Sequence, residues 1–193
     1  MSTKISIRQS ASFTLAANSE NRYALYWIVL ALDLSCSLRT MFSVLLSFGS
    51  NLGDRHKTLT DAWHVLNQTE QIQTVRLSPF YETLPVGGPA EQPMYINAAG
   101  IIQTVMPPLE LLQKLQQIES DFGRIRTERW GARTLDIDIL LYENRIVELP
   151  TLTIPHVAML HRRFVLEPAH DIAADWIHPL TQQTLHDHWK TAG

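Results

Sequence analysis

Cysteine is almost absent from this 193-residue sequence. Cys36 is its one cysteine, which excludes an internal disulfide framework and cysteine-based zinc sites. Among the eight histidines only His186 and His188 are close-set, and no His-Glu-x-x-His motif occurs, so a zinc centre is disfavoured. This cysteine usage fits a reducing cytosol, and we expect a cytoplasmic protein.

An excess of positive charge is also lacking. The chain has 16 lysines and arginines against 19 acids, which gives a net charge of −3 and a pI near 6.2. General nucleic-acid binders usually carry a strongly basic face, so we expect no nucleic-acid partner. Apolar residues make up 45% and charged residues 18%, which is typical of a globular chain. We expect one main domain and a monomer.

The apolar run at residues 23–32 is too short to cross a membrane, since a spanning helix needs about 20 residues. We expect no membrane partner. Residues 1–40 differ in composition from the rest, and we interpret them as a disordered extension or a mis-assigned start, with Met41 as the initiator. The apolar region of a signal peptide is the second interpretation. The domain itself would then be residues 41–193.

The stretch 123–142 carries the strongest chemical signal. Its first half groups four arginines around Trp130, namely Arg124, Arg126, Arg129 and Arg133. Its second half alternates apolar and acidic residues, which predicts a strand with Asp136 and Asp138 on one face. Such carboxylates lie about 6–7 Å apart and can hold two hard cations, and arginine forks suit phosphate oxygens. The stretch predicts a metal and polyphosphate site.

A plainer interpretation of this stretch stays open. An alternating strand with acids outward is most often a solvated antiparallel strand, and arginines beside carboxylates can be simple salt bridges. However, Trp130 and Gly131 lie inside a highly charged loop, which favours a shaped and partly apolar pocket.

The order of predicted elements indicates the fold. Strands are expected at 42–48, 72–81, 94–105 and within the acidic stretch, with helices after Asp54 and from Pro107–Pro108 to Gly123. The loop at 82–93 is long enough to be disordered or a functional lid. The C-terminal tail is interpreted as a series of short apolar segments, with Trp176 and Trp189 as anchors. The order βαββαβ predicts a ferredoxin-like α+β core with an antiparallel sheet and C-terminal additions.

Four motifs occur in order along the chain: residues 49–53 (GSNLG), residues 81–97 with Tyr-Glu-Thr and Tyr-Ile-Asn-Ala, the stretch 123–138, and residues 155–166 with Pro-His and Phe-Val-Leu. With these motifs, the chain from about Met41 to about Trp189 resembles the 6-hydroxymethyl-7,8-dihydropterin pyrophosphokinases of folate biosynthesis. That family transfers pyrophosphate from ATP to the hydroxymethyl group of a dihydropterin and releases AMP.

The resemblance also implies roles for individual residues. Two Mg²⁺ would be bound by Asp136 and Asp138, and the phosphates would be contacted by Arg124 and Arg133. The ATP site would be lined by Gln116, Glu119, Arg126, Arg129, Trp130, Thr153, His156 and Arg162. The pterin would be bound by Thr83, Val86, Tyr95, Asn97, Trp130 and Phe164. In this scheme Tyr95 and Phe164 sandwich the ring, and the transfer is a direct in-line step with two Mg²⁺.

Plainer interpretations accompany these roles. Tyr95 on a strand could be core packing, His156 could be structural, and Gln116 with Glu119 could form an exposed helix face. A general base is not evident, and Asp138 and metal-bound solvent are the two alternatives.

The sequence also departs from the family pattern at Val157, Ala158 and Ala132. These departures leave room for a divergent paralogue. Another two-metal nucleotidyl transferase and an RNA-binding module on the same fold are further alternatives, although the acidic sheet face disfavours the latter.

Overall fold

A computed structural model describes residues 40–87, 92–124 and 132–192. The predicted extension up to residue 39 and the three predicted site residues Arg126, Arg129 and Trp130 lie outside these ranges. Among the described residues, no helix has the length and apolar character needed for a membrane crossing.

The described chain alternates strands and helices. In order, they are β1 (Phe42–Ser50), α1 (Arg55–Gln68), β2 (Ile72–Leu77), β3 (Tyr81–Thr83), β4 (Tyr95–Thr104), α2 (Pro108–Asp121), β5 (Asp136–Tyr142), β6 (Val147–Leu149), β7 (Leu152–Ile154), a 3₁₀ turn (Met159–His161), α3 (Arg163–Ala173) and α4 (Leu185–Thr191).

The main sheet runs in the order β2-β4-β1-β5, and β3 also pairs with β4. All of its pairings are antiparallel. Together with α1 and α2 on one side, this order confirms the predicted ferredoxin-like α+β core. A separate hairpin joins β6 to β7.

The two core helices begin and end where the sequence predicts. The Asp54 side chain caps α1 by accepting a hydrogen bond from the backbone N–H of Lys57 at 3.0 Å. Helix α2 begins after Pro107, and Gly123 follows its end with φ of +78°, a conformation that glycine adopts without strain.

Three boundary predictions were wrong. The single strand predicted at 72–81 is divided into β2 and β3, because Pro79 has no N–H for a ladder and Ser78 instead bonds with its side chain and backbone to Ala99. The loop predicted from residue 82 begins after β3. The strand predicted at 42–48 continues two residues further, through Gly49 and Ser50.

Apolar residues cover both faces of the sheet. Along β1, Val44, Leu46 and Phe48 face α1 and α2, whereas Leu45 faces the C-terminal additions. There α3 and α4 pack against the sheet, and Trp176 and Trp189 lie against the same cluster, as predicted for anchors. The sequence did not predict α3 or α4 as helices. Helix α3 matters most, because its first turn reaches the candidate site.

Gly100 of β4 packs closely against Trp63 of α1 and Phe48 of β1. A Cβ atom there would lie 2.5 Å from Trp63 Cζ3 and 2.9 Å from Phe48 Cε2. We expect Gly100→Ala to lower the free energy of unfolding by about 1–3 kcal/mol, because both rings would have to move. Denaturant unfolding measures this, with Gly49→Ala as the control, where the nearest atom is 3.5 Å away. Equal stability of the two variants would contradict the packing argument.

Candidate active site

A cavity of about 330 Å³ opens on the sheet face that also carries α3. It brings together nine of the residues that the sequence proposed for the site. These are Thr83, Val86, Tyr95, Asn97, Arg133, Asp136, Asp138, Arg162 and Phe164. Four separate segments of the chain therefore meet at one cavity.

Strand β1 positions the cavity walls. Gly49 lies opposite Asn97 of β4 on one side and Asp136 of β5 on the other, and Ser47 lies opposite Asp138. Because Ser47 and Gly49 have small or no side chains, they leave space between the two neighbouring strands. Sequence reasoning missed Ser47, although the period of two along the strand from Gly49 would have indicated it.

The acidic end of the cavity holds two carboxylates. Asp136 is paired with Arg124 at 2.6 Å and with Arg133. Burial raises the pKa of Asp138, and the negative charge of Asp136 raises it further, against the opposing effects of His156, Arg124 and Arg133. Two neighbouring carboxylates, one of which is costly to ionise, are suited to a bound cation.

The fit of this pair to Mg²⁺ depends on the number of ligands. Within the described ranges, no group of three or more histidine, cysteine, aspartate or glutamate side chains is arranged to hold a metal. Mg²⁺ usually takes only one or two carboxylates and completes its shell with water and substrate phosphates. Asp136 and Asp138 therefore suit Mg²⁺ delivered with a polyphosphate better than a resident structural metal.

Glu119 lies beneath the acidic end and is only 2% exposed. It accepts a hydrogen bond from the backbone N–H of Ile137 at 2.7 Å and is paired with Arg124. Burial raises the pKa of Glu119, and the contacts with Ile137 and Arg124 oppose that rise. The exposed-face interpretation was thus wrong for Glu119. Gln116 is exposed on the same helix.

Aromatic and amide side chains line the cavity next to the carboxylates. Asn97 is 5% exposed, and its Nδ2 donates a hydrogen bond to Thr83 Oγ1 at 2.8 Å. Tyr95 is half-buried beside it, and burial raises the pKa of its phenol. Phe164 enters from the first turn of α3, with the Arg162 guanidinium 5.9 Å from its ring centre. Tyr95 faces the cavity, which favours the site interpretation over core packing.

Among the residues that the structure describes, the other proposed ones are not part of the cavity lining. Thr153 is exposed on β7. The backbone N–H of His156 donates to the Leu140 carbonyl at 3.0 Å, and its Nδ1 accepts from the Ala158 N–H at 3.2 Å. These contacts favour the structural interpretation of His156, and its effect on the pKa of Asp138 shows that it lies near the two carboxylates. ATP contacts by Gln116, Glu119, Thr153 and His156 stay predictions.

Comparison with known proteins identifies the family. The family described as 7,8-dihydro-6-hydroxymethylpterin-pyrophosphokinase (HPPK) matches residues 45–174. A 2-amino-4-hydroxy-6-hydroxymethyldihydropteridine pyrophosphokinase of Haemophilus influenzae is 44% identical over 142 residues, which cover 74% of this chain and 88% of that protein. The Pseudomonas aeruginosa protein of the same name is 41% identical over 132 residues, 68% of this chain and 81% of its own. The chain belongs to this family of pyrophosphokinase enzymes.

Solved structures agree on the fold. The wild-type HPPK-DHPS of Plasmodium falciparum superposes with a TM-score of 0.59 at 14% identity over 79% of this chain. The superposed region covers 41% of that longer chain. At such low identity the likeness supports the fold alone.

Proposed function

We propose that the chain transfers pyrophosphate from ATP to the hydroxymethyl group of 6-hydroxymethyl-7,8-dihydropterin, giving AMP and the pterin diphosphate, with two Mg²⁺ bound. Family membership supports the reaction. The observation that carries the site assignment is one cavity lined both by two carboxylates, Asp136 and Asp138, and by Tyr95, Asn97 and Phe164. Such a cavity suits two substrates meeting in the middle.

Asp136 and Asp138 would hold the Mg²⁺ ions. When bound, Mg²⁺ neutralises the triphosphate and orients it for in-line transfer. Before substrate arrives, Arg124 and Arg133 balance the charge of Asp136. In the complex with ATP, Arg124 and Arg133 would donate forked hydrogen bonds to phosphate oxygens.

The pterin end recognises a flat heterocycle. The Asn97 amide offers both a donor and an acceptor to the ring edge, and Thr83 fixes the amide orientation. Tyr95 and Phe164 supply aromatic faces for the ring. Leu84 and Val86 at the mouth are 71% and 73% exposed, and covering the pterin would bury them and exclude water.

The identity of the adenosine product tests the proposal. Purified protein with Mg²⁺, ATP and 6-hydroxymethyl-7,8-dihydropterin should release AMP in equal amount to the pyrophosphorylated pterin. Formation of ADP would mean transfer of a single phosphoryl group, and a well-folded protein without turnover would also overturn the assignment. Removing Mg²⁺ with a chelator should stop the reaction.

Removing an aromatic face should weaken pterin binding selectively. We expect Tyr95→Ala and Phe164→Ala to raise the KM for the pterin about 5- to 150-fold, since stacking of a base on an aromatic ring is worth about 1–3 kcal/mol. The KM for ATP should rise less than the KM for the pterin, because neither ring is a proposed nucleotide ligand. Tyr95→Phe keeps the ring and is the matched control. An unchanged pterin KM in both alanine variants would remove these residues from the pterin site.

A further inference from the structure

Tyr81 is the first residue of β3 and has no role in the site as assigned so far. It lies opposite Asn97 of β4, a proposed pterin ligand, in the register of the sheet. Thr83 follows two residues later on the same face of β3 and accepts the hydrogen bond from Asn97 Nδ2 at 2.8 Å. The position of β3 therefore determines how the Asn97 amide is held.

Few backbone contacts hold β3 itself. The strand has three residues, and within the described ranges it pairs with β4 alone. Strands usually have about 5–6 residues, so β3 has only a short ladder to fix its position. Glu82 points to the opposite face, where Arg55 holds it at 2.9 Å. On the face that carries Thr83, a further attachment comes from Tyr81.

The Tyr81 hydroxyl donates a hydrogen bond to Asp171 Oδ2 of α3. This bond is the largest of the effects that raise the pKa of the Tyr81 phenol to about 12, so the hydroxyl remains a donor throughout the pH range of an ordinary assay. Helix α3 is a firm support, because Val165 and Leu166 pack in the same apolar cluster as Leu45 of β1. The contact therefore fastens a short strand to a well-packed helix.

Helix α4 steadies the helix end of this contact. The other carboxylate oxygen of Asp171, Oδ1, lies 3.8 Å from His170 Nδ1. His170 Nε2 lies 3.0 Å from His186 Nδ1, and the His170 ring stacks on Trp189 with 4.6 Å between ring centres. Both His186 and Trp189 belong to α4. The residue beside Asp171 is thus held by the C-terminal addition, which limits the movement of the carboxylate.

We propose that Tyr81 is a positioning residue for pterin recognition, which fastens β3 to α3 so that Thr83 holds the Asn97 amide in the orientation that the ring edge requires. The inference rests on the proposed function. Loss of the Tyr81 contact would loosen β3 and let the amide turn away from the ring, which weakens pterin binding. The carboxylates on β5 would be affected less, because β5 pairs with β1 and not with β3.

Steady-state kinetics of Tyr81→Phe test this role. The substitution keeps the ring and removes only the hydroxyl. We expect the KM for 6-hydroxymethyl-7,8-dihydropterin to rise about 3- to 10-fold, which corresponds to the net contribution of one hydrogen bond. The KM for ATP should rise less, because no proposed nucleotide ligand lies on β3. A loss of stability alone would reduce the amount of active enzyme and hence the apparent kcat, and it would leave the pterin KM unchanged.

Three variants of acidic residues test the partner. Asp171→Leu should raise the pterin KM by the same factor as Tyr81→Phe, and the double variant should show no further rise, because both remove one shared contact. Asp171→Asn keeps an acceptor oxygen for the Tyr81 hydroxyl and should restore the pterin KM of the unaltered protein. Asp175→Leu is the control, since it makes the same change at an exposed position two residues beyond α3.

The outcomes are distinguishable. If the protein releases AMP but Tyr81→Phe leaves the pterin KM unchanged, the positioning role is overturned and the proposed function stands. An equal rise of both KM values would also overturn it, because the effect would then not be specific to the pterin. Tyr81→Phe decides the matter even if Asp171→Leu fails to fold. If the unaltered protein releases no AMP, the proposed function fails, and the inference fails with it.

Discussion

Replacing Asp138 with asparagine is expected to abolish turnover and to make the fold more stable. The loss of activity follows from the proposed metal site, since metal-ion stabilisation is worth several kcal/mol of barrier and its loss lowers kcat by roughly a thousandfold or more. The gain in stability follows from burial. Burial and the charge of Asp136 both raise the pKa of Asp138, so its ionised form is unfavourable in the folded protein.

The sign of the pH dependence follows from that raised pKa. The folded state holds the proton of Asp138 more tightly than the unfolded state does. In the unfolded state the pKa of the carboxyl group is about 3.9. The contribution of Asp138 to the free energy of unfolding is therefore fully present below its unfolded pKa. This contribution is lost as the pH rises through its folded pKa. Asparagine has no such titration. The stability advantage of Asp138→Asn should be absent in acid and grow toward neutral pH.

Asp136→Asn is the matched comparison. It should abolish turnover equally, but it should lower the Tm, because it leaves Arg124 and Arg133 without the carboxylate that they share. Thermal unfolding from about pH 4 to pH 7, together with the AMP assay, measures both variants. A near-normal rate in either variant would refute the metal assignment. A lower Tm for Asp138→Asn at neutral pH would refute the burial argument.

The acidic strand shows how far sequence reasoning reaches. Alternation predicted β5 with Asp136 and Asp138 on one face, and the cavity lining agrees. The core helices were predicted equally well, because their apolar spacing and caps are local signals. Helix α3 was missed. Its interior contains Pro168, which normally argues against a helix, and its apolar run Phe164–Leu166 has no clear helical period.

Contacts between distant segments could not be predicted from local patterns. Asn51 and Arg133 are 82 residues apart in the sequence, and no local pattern in the residues between them predicts their contact. For Glu119 a signal was present, because the residue lies four positions after Leu115 and next to Ile118 on the apolar face of α2. A charge on such a face indicates a buried partner, which the structure supplies as Arg124.

Replacing Glu119 with glutamine should separate activity from stability. The glutamine oxygen can still accept from the Ile137 N–H, and a neutral group removes the cost of burying an ionised carboxylate. Because Arg124 keeps Asp136 as an ionic partner, we expect Glu119→Gln to lower the free energy of unfolding by about 1–3 kcal/mol, the cost of weakening one charge-assisted contact. Glu119→Ala leaves the Ile137 N–H unpaired and the Arg124 charge less compensated, and should cost about 3–5 kcal/mol.

Activity should fall in Glu119→Gln because the oxygen that accepts from the Ile137 N–H is also the one that faces the Arg124 guanidinium, and a neutral amide oxygen holds a guanidinium less strongly than a carboxylate does. Displacing Arg124 from the proposed phosphate position should lower kcat about 10- to 100-fold, as loss of one charge-assisted contact costs about 1.5–3 kcal/mol. Glu110→Gln, an exposed change on the same helix, is the control. If Glu119 instead contacts ATP directly, the KM for ATP rises while kcat holds. Positioning through Arg124 predicts the reverse, with no further loss of kcat when Arg124→Lys is added.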